Sequence, residues 1–414
     1  RWVRTAEKGG ELVAQPPPIQ IAQILTARRR HEDVRTLDAV TTAPVFLADG
    51  SILSTPGYNA AARVYLEPNV AVKVPEHPTQ EQAQAAVRLF RDLLSDFTFA
   101  SRADFASWLA GVLSPLIKSA TDNSPAPLIC VSAPSAGAGK SLLSEVASYV
   151  ITGAPAEIRP YNPKDLAEHG KRITAFVKAG AAYGVFDNCN GPFGDETIDR
   201  LITSRNWSDR LLGASDAPAL PVVTTWWATG NNIEPHGDTV RRVLMVRLEV
   251  LHEKPQERTG FKRPLLLEYT LEQRANLLSA ALVILRAYHC AGRPDMQLPP
   301  WGSFTAWSGL IRNALVWTGL PDPYLTQKRA STELNEGENE AHDFWLGVIG
   351  PTDGSPAAVV AAAAGARAAE VLGLRETLTP FTLRRFVRRF VDRPRRGLRI
   401  RHSAGMYTVE RVAA

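Results

Sequence analysis

One nine-residue run constrains the fold of this chain more than any other feature: Ala133-Pro134-Ser135-Ala136-Gly137-Ala138-Gly139-Lys140-Ser141. It follows the apolar segment Leu128 to Ser132 and precedes a helical run from Leu142 to Val150. Small residues between a strand and a helix let successive backbone N–H groups turn inward around phosphate oxygens. They do so at a helix N-terminus that already favours anions. Pro134, Ser135, Ala136, Gly137, Ala138, Gly139, Lys140, Ser141 and Leu142 are therefore the expected nucleotide cradle. In it Lys140 reaches the β- and γ-phosphates of ATP and the Ser141 hydroxyl holds Mg²⁺. Pro134 stands where the usual pattern has its first Gly; it makes the turn but donates no N–H. Such a loop requires an α/β sheet around it, and residues 126 to 250 alternate short apolar strands with helical stretches. Strands are expected at Leu128 to Ser132, Ala182 to Phe186, Val222 to Thr229 and Val243 to Leu248.

Two of these strands end in residues suited to the same chemistry. Tyr183-Gly184-Val185-Phe186 runs into Asp187, the place for a further Mg²⁺ ligand, and then into Asn188. Many ATPases carry a water-polarising Glu where Asn188 stands, so Asp195 or Glu196 is the fallback base. Val222 to Thr229 leads into Gly230-Asn231-Asn232, where an Asn can position the attacking water; a plain turn would use the same residues. Arg241 and Arg242 follow, and arginine suits the charge that spreads over a transferring phosphoryl group.

Around this core, 414 residues with 45% hydrophobic and 21% charged side chains provide for a sizeable core and exclude wholesale disorder. The three cysteines, Cys130, Cys189 and Cys290, are too scattered for a disulfide framework or a cysteine zinc site. That pattern fits a reducing cytoplasmic compartment. No run reaches the roughly 18–20 apolar residues of a membrane span, so no membrane partner is expected. The first 75 residues read as a small β-containing adaptor, with a hairpin closed by Asp49-Gly50 and a strand pair at Gly57-Tyr58 and Val64 to Leu66. Residues 76 to 125 carry a helical period and form a collar or linker.

Taken in order, these segments resemble the AAA+ ATPase core of primase-helicase proteins of phages, plasmids and integrated elements, similar in layout to superfamily 3 helicases. The resemblance rests on Pro44 to Tyr58, the phosphate loop, Phe186-Asp187-Asn188, Ala228 to Asn232 and Gly237 to Arg242. It continues through Trp307 to Arg312 and Gly319 to Pro323. It implies residues 126–325 as an AAA+ core with a helical lid and a hexameric ring with ATP at subunit interfaces. It also implies Lys140, Ser141 and Asp187 acting within one subunit, with Asn231 or Asn232 as sensor. Arg241 or Arg242 would then be the finger reaching into the neighbour's site. A hairpin before the sensor strand would grip single-stranded DNA; residues 210 to 221 fit its place, with Arg205, Trp207 and Arg210 as backbone or stacking contacts. The implied function is an ATP-driven DNA helicase or translocase; an ATP-switched origin-binding initiator is the alternative. The primase that the family carries is not visible, and would lie upstream of Arg1 or on a partner.

The last region, 326–414, reads as helices followed by a β-hairpin, the layout of a winged helix. Ten arginines between Arg375 and Arg401 face only Glu376 and Asp392, a local balance of +8 against +5 for the whole chain. The basic excess therefore lies here, and Arg384, Arg385, Arg388, Arg389, Arg395, Arg396, Arg399 and Arg401 are the candidates for duplex or fork phosphates.

Overall fold

The computed structural model describes residues 34–161, 166–189, 191–208, 219–251, 254–350 and 355–364. It also describes short pieces at 3–5, 12–14, 18–27, 368, 379, 383, 387, 390–391, 398–403 and 406–411. At its centre is a five-stranded sheet: β1 (Leu128–Ala133), β2 (Glu157–Pro160), β3 (Tyr183–Asp187), β4 (Thr225–Asn231) and β5 (Val243–Arg247). The spatial order is β5-β1-β4-β3-β2, and every neighbouring pair is parallel. Parallel strands are covered on both faces and so read as continuous apolar runs. All six residues of β1 are buried, as are six of seven in β4.

Four of the five strands lie where the sequence places them. The fifth, β2, has no apolar run to announce it; its Ile158 is 45% exposed, whereas β5 at the opposite edge is buried from Val243 to Val246. Helix α3 (Lys140–Thr152) leaves β1 directly, α4 (Leu166–Ala179) precedes β3, and α5 (Glu196–Thr203) follows it. Because β1 lies between β4 and β5, the chain leaves it toward one edge and returns later on its other side. That reversal opens a crevice at the carboxyl ends of the strands, where ligands of such sheets bind.

One face of the sheet is covered by two helices that precede it, α1 (Gln80–Leu93) and α2 (Arg102–Leu113). Thr79 opens α1 with a reciprocal cap, its hydroxyl accepting from Gln82 N while the Gln82 side chain accepts from Thr79 N. Ser101 caps α2, and Trp108 of α2 donates its indole N–H to Leu143 O of α3 at 3.0 Å. Two later helices, α6 (Leu266–Glu272) and α7 (Arg274–Cys290), complete this layer. In the N-terminal region Val45–Phe46 pairs with Ile52–Leu53, and Gly57–Asn59 pairs with Val64–Leu66, both antiparallel. The Asp49-Gly50 turn is held by the Asp49 carboxylate, which accepts from Ser51 N and Oγ, with Gly50 at φ +81°.

The long helix α8 (Tyr324–Ile349) runs from the sheet into a separate small core. There Trp345 and Ile349 pack with Val360, Leu383, Val387, Phe390, Ile400 and Tyr407. The expected basic hairpin is present: Leu398–Ser403 pairs antiparallel with Met406–Arg411, and Ser355–Pro356 adds a third short strand. Among the described residues no helix is long and apolar enough to cross a membrane.

Candidate nucleotide site

The phosphate loop emerges from β1 at the crevice. Gly137 and Gly139 adopt φ of +76° and +85°, a region that favours glycine. At Gly139 a Cβ would also lie 2.8 Å from the Phe97 ring. Helix α3 therefore starts with no side chain capping its first N–H groups, which leaves them aimed into the loop. Lys140 lies under the loop and donates from Nζ to Ser135 O at 2.7 Å. Burial pulls its ammonium below the ordinary lysine range, and the Asp187 carboxylate acts the other way. The Ser135 hydroxyl is buried with no hydrogen-bond partner. A glycine-shaped cradle, uncapped amides, a lysine resting on a loop carbonyl and an orphaned hydroxyl together fit a polyphosphate.

Ser141 and Asp187 meet across the crevice. Asp187 ends β3, and its Oδ1 accepts from Ser141 Oγ at 3.4 Å and, in a short contact, from Thr229 Oγ1 of β4. A hydroxyl and a carboxylate side by side are the oxygen donors that suit a Mg²⁺ keeping most of its waters. Glu145, one turn beyond Ser141 on α3, completes an acidic corner. Burial and then the Asp187 charge raise its carboxyl. Asn188 sits just past the strand in the left-handed region at φ 60°. Asn231 is in register with Ala133 at the mouth of the loop, and Asn232 N donates to Ala133 O at 3.1 Å. Gly230 allows this convergence, since a Cβ there would come 2.0 Å from Cys189 O. Lys140, Ser141, Asp187, Asn231 and Asn232 thus share one corner.

The fallback bases are not in it. Asp195 caps α5, its Oδ1 accepting from Thr197 N and Ile198 N, while its other oxygen lies 3.5 Å from buried His169. Its carboxylate is committed to holding the helix start, and Glu196 is the first residue of that helix.

Beside the phosphate loop lies a mostly apolar cavity of about 500 Å³, bounded by Gly139, Leu142, Phe97, Val250, Phe261 and Leu266 among others. Its roof, the segment after β5, is pinned to the end of α1. Asp96 accepts from the backbone N of Lys262 and of Arg263 at 3.1 Å each, and Asp92 pairs with both side chains. The size and lining fit a nucleobase. Sequence reading missed this half of the site; the apolar run Pro264 to Leu267 and the lone Phe97 are its faint signals.

The two arginines separate. They lie on the turn Thr239–Arg242, which borders a second cavity, with Trp301, Tyr324 and Lys328, that contains no residue of the phosphate loop. The Arg242 side chain is 22% exposed and binds Asp199 at 3.0 Å and Asp238 at 3.5 Å. The Arg241 side chain is 64% exposed, with the exposed Asp238 as its partner.

The nucleic-acid candidates fare unevenly. Trp207 is 1% exposed and donates its indole N–H to Thr174 Oγ1 at 2.8 Å, with the Arg200 guanidinium 4.0 Å from its ring centroid. It is a core residue, which corrects the stacking role read from sequence: an indole between Asn206 and Ser208 has a partner only once α4 packs above it. Arg205 is exposed and bonds Asp122 at 3.3 Å. On the C-terminal hairpin Arg399 and Arg401 both bond Glu410. Arg210, Arg384, Arg385, Arg388, Arg389, Arg395 and Arg396 lie outside the described residues.

A parallel α/β sheet with a phosphate loop at its reversal point is the layout of a P-loop nucleotide-binding fold. No protein-family model matches the chain, and no curated protein matches it in sequence. Among solved structures, it is similar to the apo A form of the NrS-1 C-terminal region (TM-score 0.40, 10% identity, over 98% of this chain and 91% of that one). It is also similar to the SCCmec type IV Cch active helicase (TM-score 0.37, 10% identity, over 95% and 82%). A third is a JCV helicase with a bound small molecule (TM-score 0.24, 14% identity, over 58% and 68%).

Proposed function

We propose that the chain is an ATP-driven DNA helicase or translocase. It works in the cytoplasm as a ring oligomer, hexameric by the resemblance, in the replication of a phage, plasmid or integrated mobile element. The observation that carries this reading is a division of labour. One corner of the chain holds the phosphate loop, Ser141 and Asp187, while an exposed arginine stands on a different cavity. The arginines that line the cavity beside the loop, Arg258 and Arg263, are paired with Asp96 and Asp92, so a site that needs a further arginine is completed by a neighbour. Residues 126–325 form the motor with its lid, residues 1–75 and 76–125 the adaptor and collar, and residues 326–414 a winged-helix module that takes duplex or fork phosphates.

In the working site the α3 amides and Lys140 hold the β- and γ-phosphates, and Phe97 and the lid cavity take the base. Ser141 and Asp187 would hold Mg²⁺, which would offset charge on the phosphoryl oxygens. Asn231 orients the attacking water against the γ-phosphate. Thr229 keeps Asp187 facing Ser141 by bonding the same carboxylate oxygen. Arg241 of one subunit leaves Asp238 for the γ-phosphate of the next. No carboxylate follows Asp187 directly, and Glu145, which feels the Asp187 charge, is a further acid at this corner. The first test is Lys140→Ala, which should abolish ATP turnover while the chain stays folded by circular dichroism. Turnover that survived would remove the loop from the mechanism.

A further inference from the structure

The turn that carries Arg241 hangs between β4 and β5 and is held from three sides, two through its backbone and one through its side chains. Trp301 Nε1 donates to Arg241 O at 2.9 Å, and Gln327 Nε2 of α8 donates to Val240 O at 3.3 Å. The third hold is Asp199 of α5. Its Oδ1 accepts from Thr239 Oγ1 at 2.8 Å and from Arg242 Nη1 at 3.0 Å. These two contacts clamp both ends of the four-residue turn, and Arg242 is consumed in making one of them.

Asp199 is itself placed by the strand that ends in Asp187. Cys189, and then Gly191 to Phe193, lie alongside β4 and the segment that leaves it. Cys189 N donates to Thr229 O at 2.8 Å, Glu234 N to Gly191 O at 2.9 Å, and His236 N to Phe193 O at 3.1 Å. At Gly194 the two segments touch so closely that a Cβ would lie 2.2 Å from Thr239 Oγ1. The next residue, Asp195, caps helix α5, and Asp199 lies in its first turn. Both strand ends that face the γ-phosphate position are thus tied by backbone hydrogen bonds to the base of the arginine turn.

We infer that Asp199 is the positioning residue for Arg241: it fixes the turn through Thr239 and Arg242, and α5 and the paired segments link that turn to the subunit's own phosphate corner. The inference rests on the proposal that Arg241 acts in a neighbour's site. A side chain displaced by about 1 Å from the reacting group forfeits roughly 10²-fold in rate. Deleting a finger outright forfeits roughly 10³–10⁵-fold. Asp199→Asn should therefore cost the neighbour's turnover roughly 10²-fold and leave the variant's own affinity for ATP unchanged.

The test uses mixed oligomers of the full chain. Lys140→Ala subunits, with Arg241 intact, are mixed with Arg241→Ala subunits whose phosphate loops are intact, and ATP turnover is measured. Turnover restored on mixing establishes the donated finger. Adding Asp199→Asn to the Lys140→Ala subunits should then abolish the restoration, while labelled-ATP binding to an Asp199→Asn single variant stays as in the unmodified chain. Thr239→Val should behave like Asp199→Asn, and Thr239→Ser, which keeps the hydroxyl, should restore function. Equal restoration with and without Asp199→Asn overturns the positioning role and leaves the finger standing. No restoration from the Lys140→Ala subunits overturns the finger, and the positioning role with it.

Discussion

Lys118 carries an ammonium group into a wholly buried place, with Ser124 O at 3.3 Å and Val222 O at 3.4 Å as acceptors. Burial pushes it down from 10.5 to about 8. Between those two values the unfolded chain binds a proton that the folded chain does not, so this group's contribution to stability rises with pH across that window. Each pKa unit is worth about 1.4 kcal/mol, so the rise from pH 8 to 10.5 is about 3 kcal/mol. Buried Cys189 and Tyr183, pushed upward, pull the other way in the same range. The prediction is therefore a difference. In urea unfolding the gap between the unmodified chain and Lys118→Met should shift in favour of the former as pH rises; a gap that stays constant contradicts it. At the scale of residues, Lys140, Ser141 and Asp187 are legible in the sequence because their neighbours in sequence are their partners in function. Thr229 and Phe97 are not, since each reaches the site only through tertiary packing, and Glu145, one turn from Ser141, is named by no local motif. Trp207 misled because the side chain that covers it lies more than thirty residues away.

At the scale of elements, helix α3 is held at both ends. Its N-terminus is the phosphate cradle. At its C-terminus the buried Arg274, the first residue of α7, donates to Val150 O at 3.2 Å and Ile151 O at 2.9 Å, and Asn69 Nδ2 reaches Thr152 O at 3.3 Å. Arg274 also donates to Asn69 Oδ1 at 2.7 Å. A cation at that end complements the helix dipole, and burial lowers its pKa. Arg274→Ala would leave two carbonyls without these donors at roughly 1–3 kcal/mol each. Thermal or urea unfolding should show a loss of about 2–6 kcal/mol; a change under about 0.5 kcal/mol would make the contact incidental. Elements were read from sequence in proportion to their burial. β1, β3, β4 and β5 announce themselves as apolar runs, while β2 at the edge does not. Strand order is set by which crossover packs where, and no local pattern carries it.

At the scale of the molecule, the chain joins a nucleotide corner, an arginine on another cavity and a small core that bears a basic hairpin. Helix α8 spans these parts. Gln327 near its start holds the arginine turn, Arg329 binds buried Asp104 at 2.7 Å, and Trp345 near its end belongs to the C-terminal core. Of the run from Arg375 to Arg401 with its +8 balance, the described Arg399 and Arg401 lie on the hairpin whose Ile400 belongs to that C-terminal core. The measurement that tests the central claim most directly is strand displacement on a forked DNA with ATP, run beside Lys140→Ala and with oligomer mass recorded in the same buffer. The account predicts a ring-sized species that releases the displaced strand, and no release by Lys140→Ala. DNA-stimulated ATP turnover with no strand moved would contradict the motor.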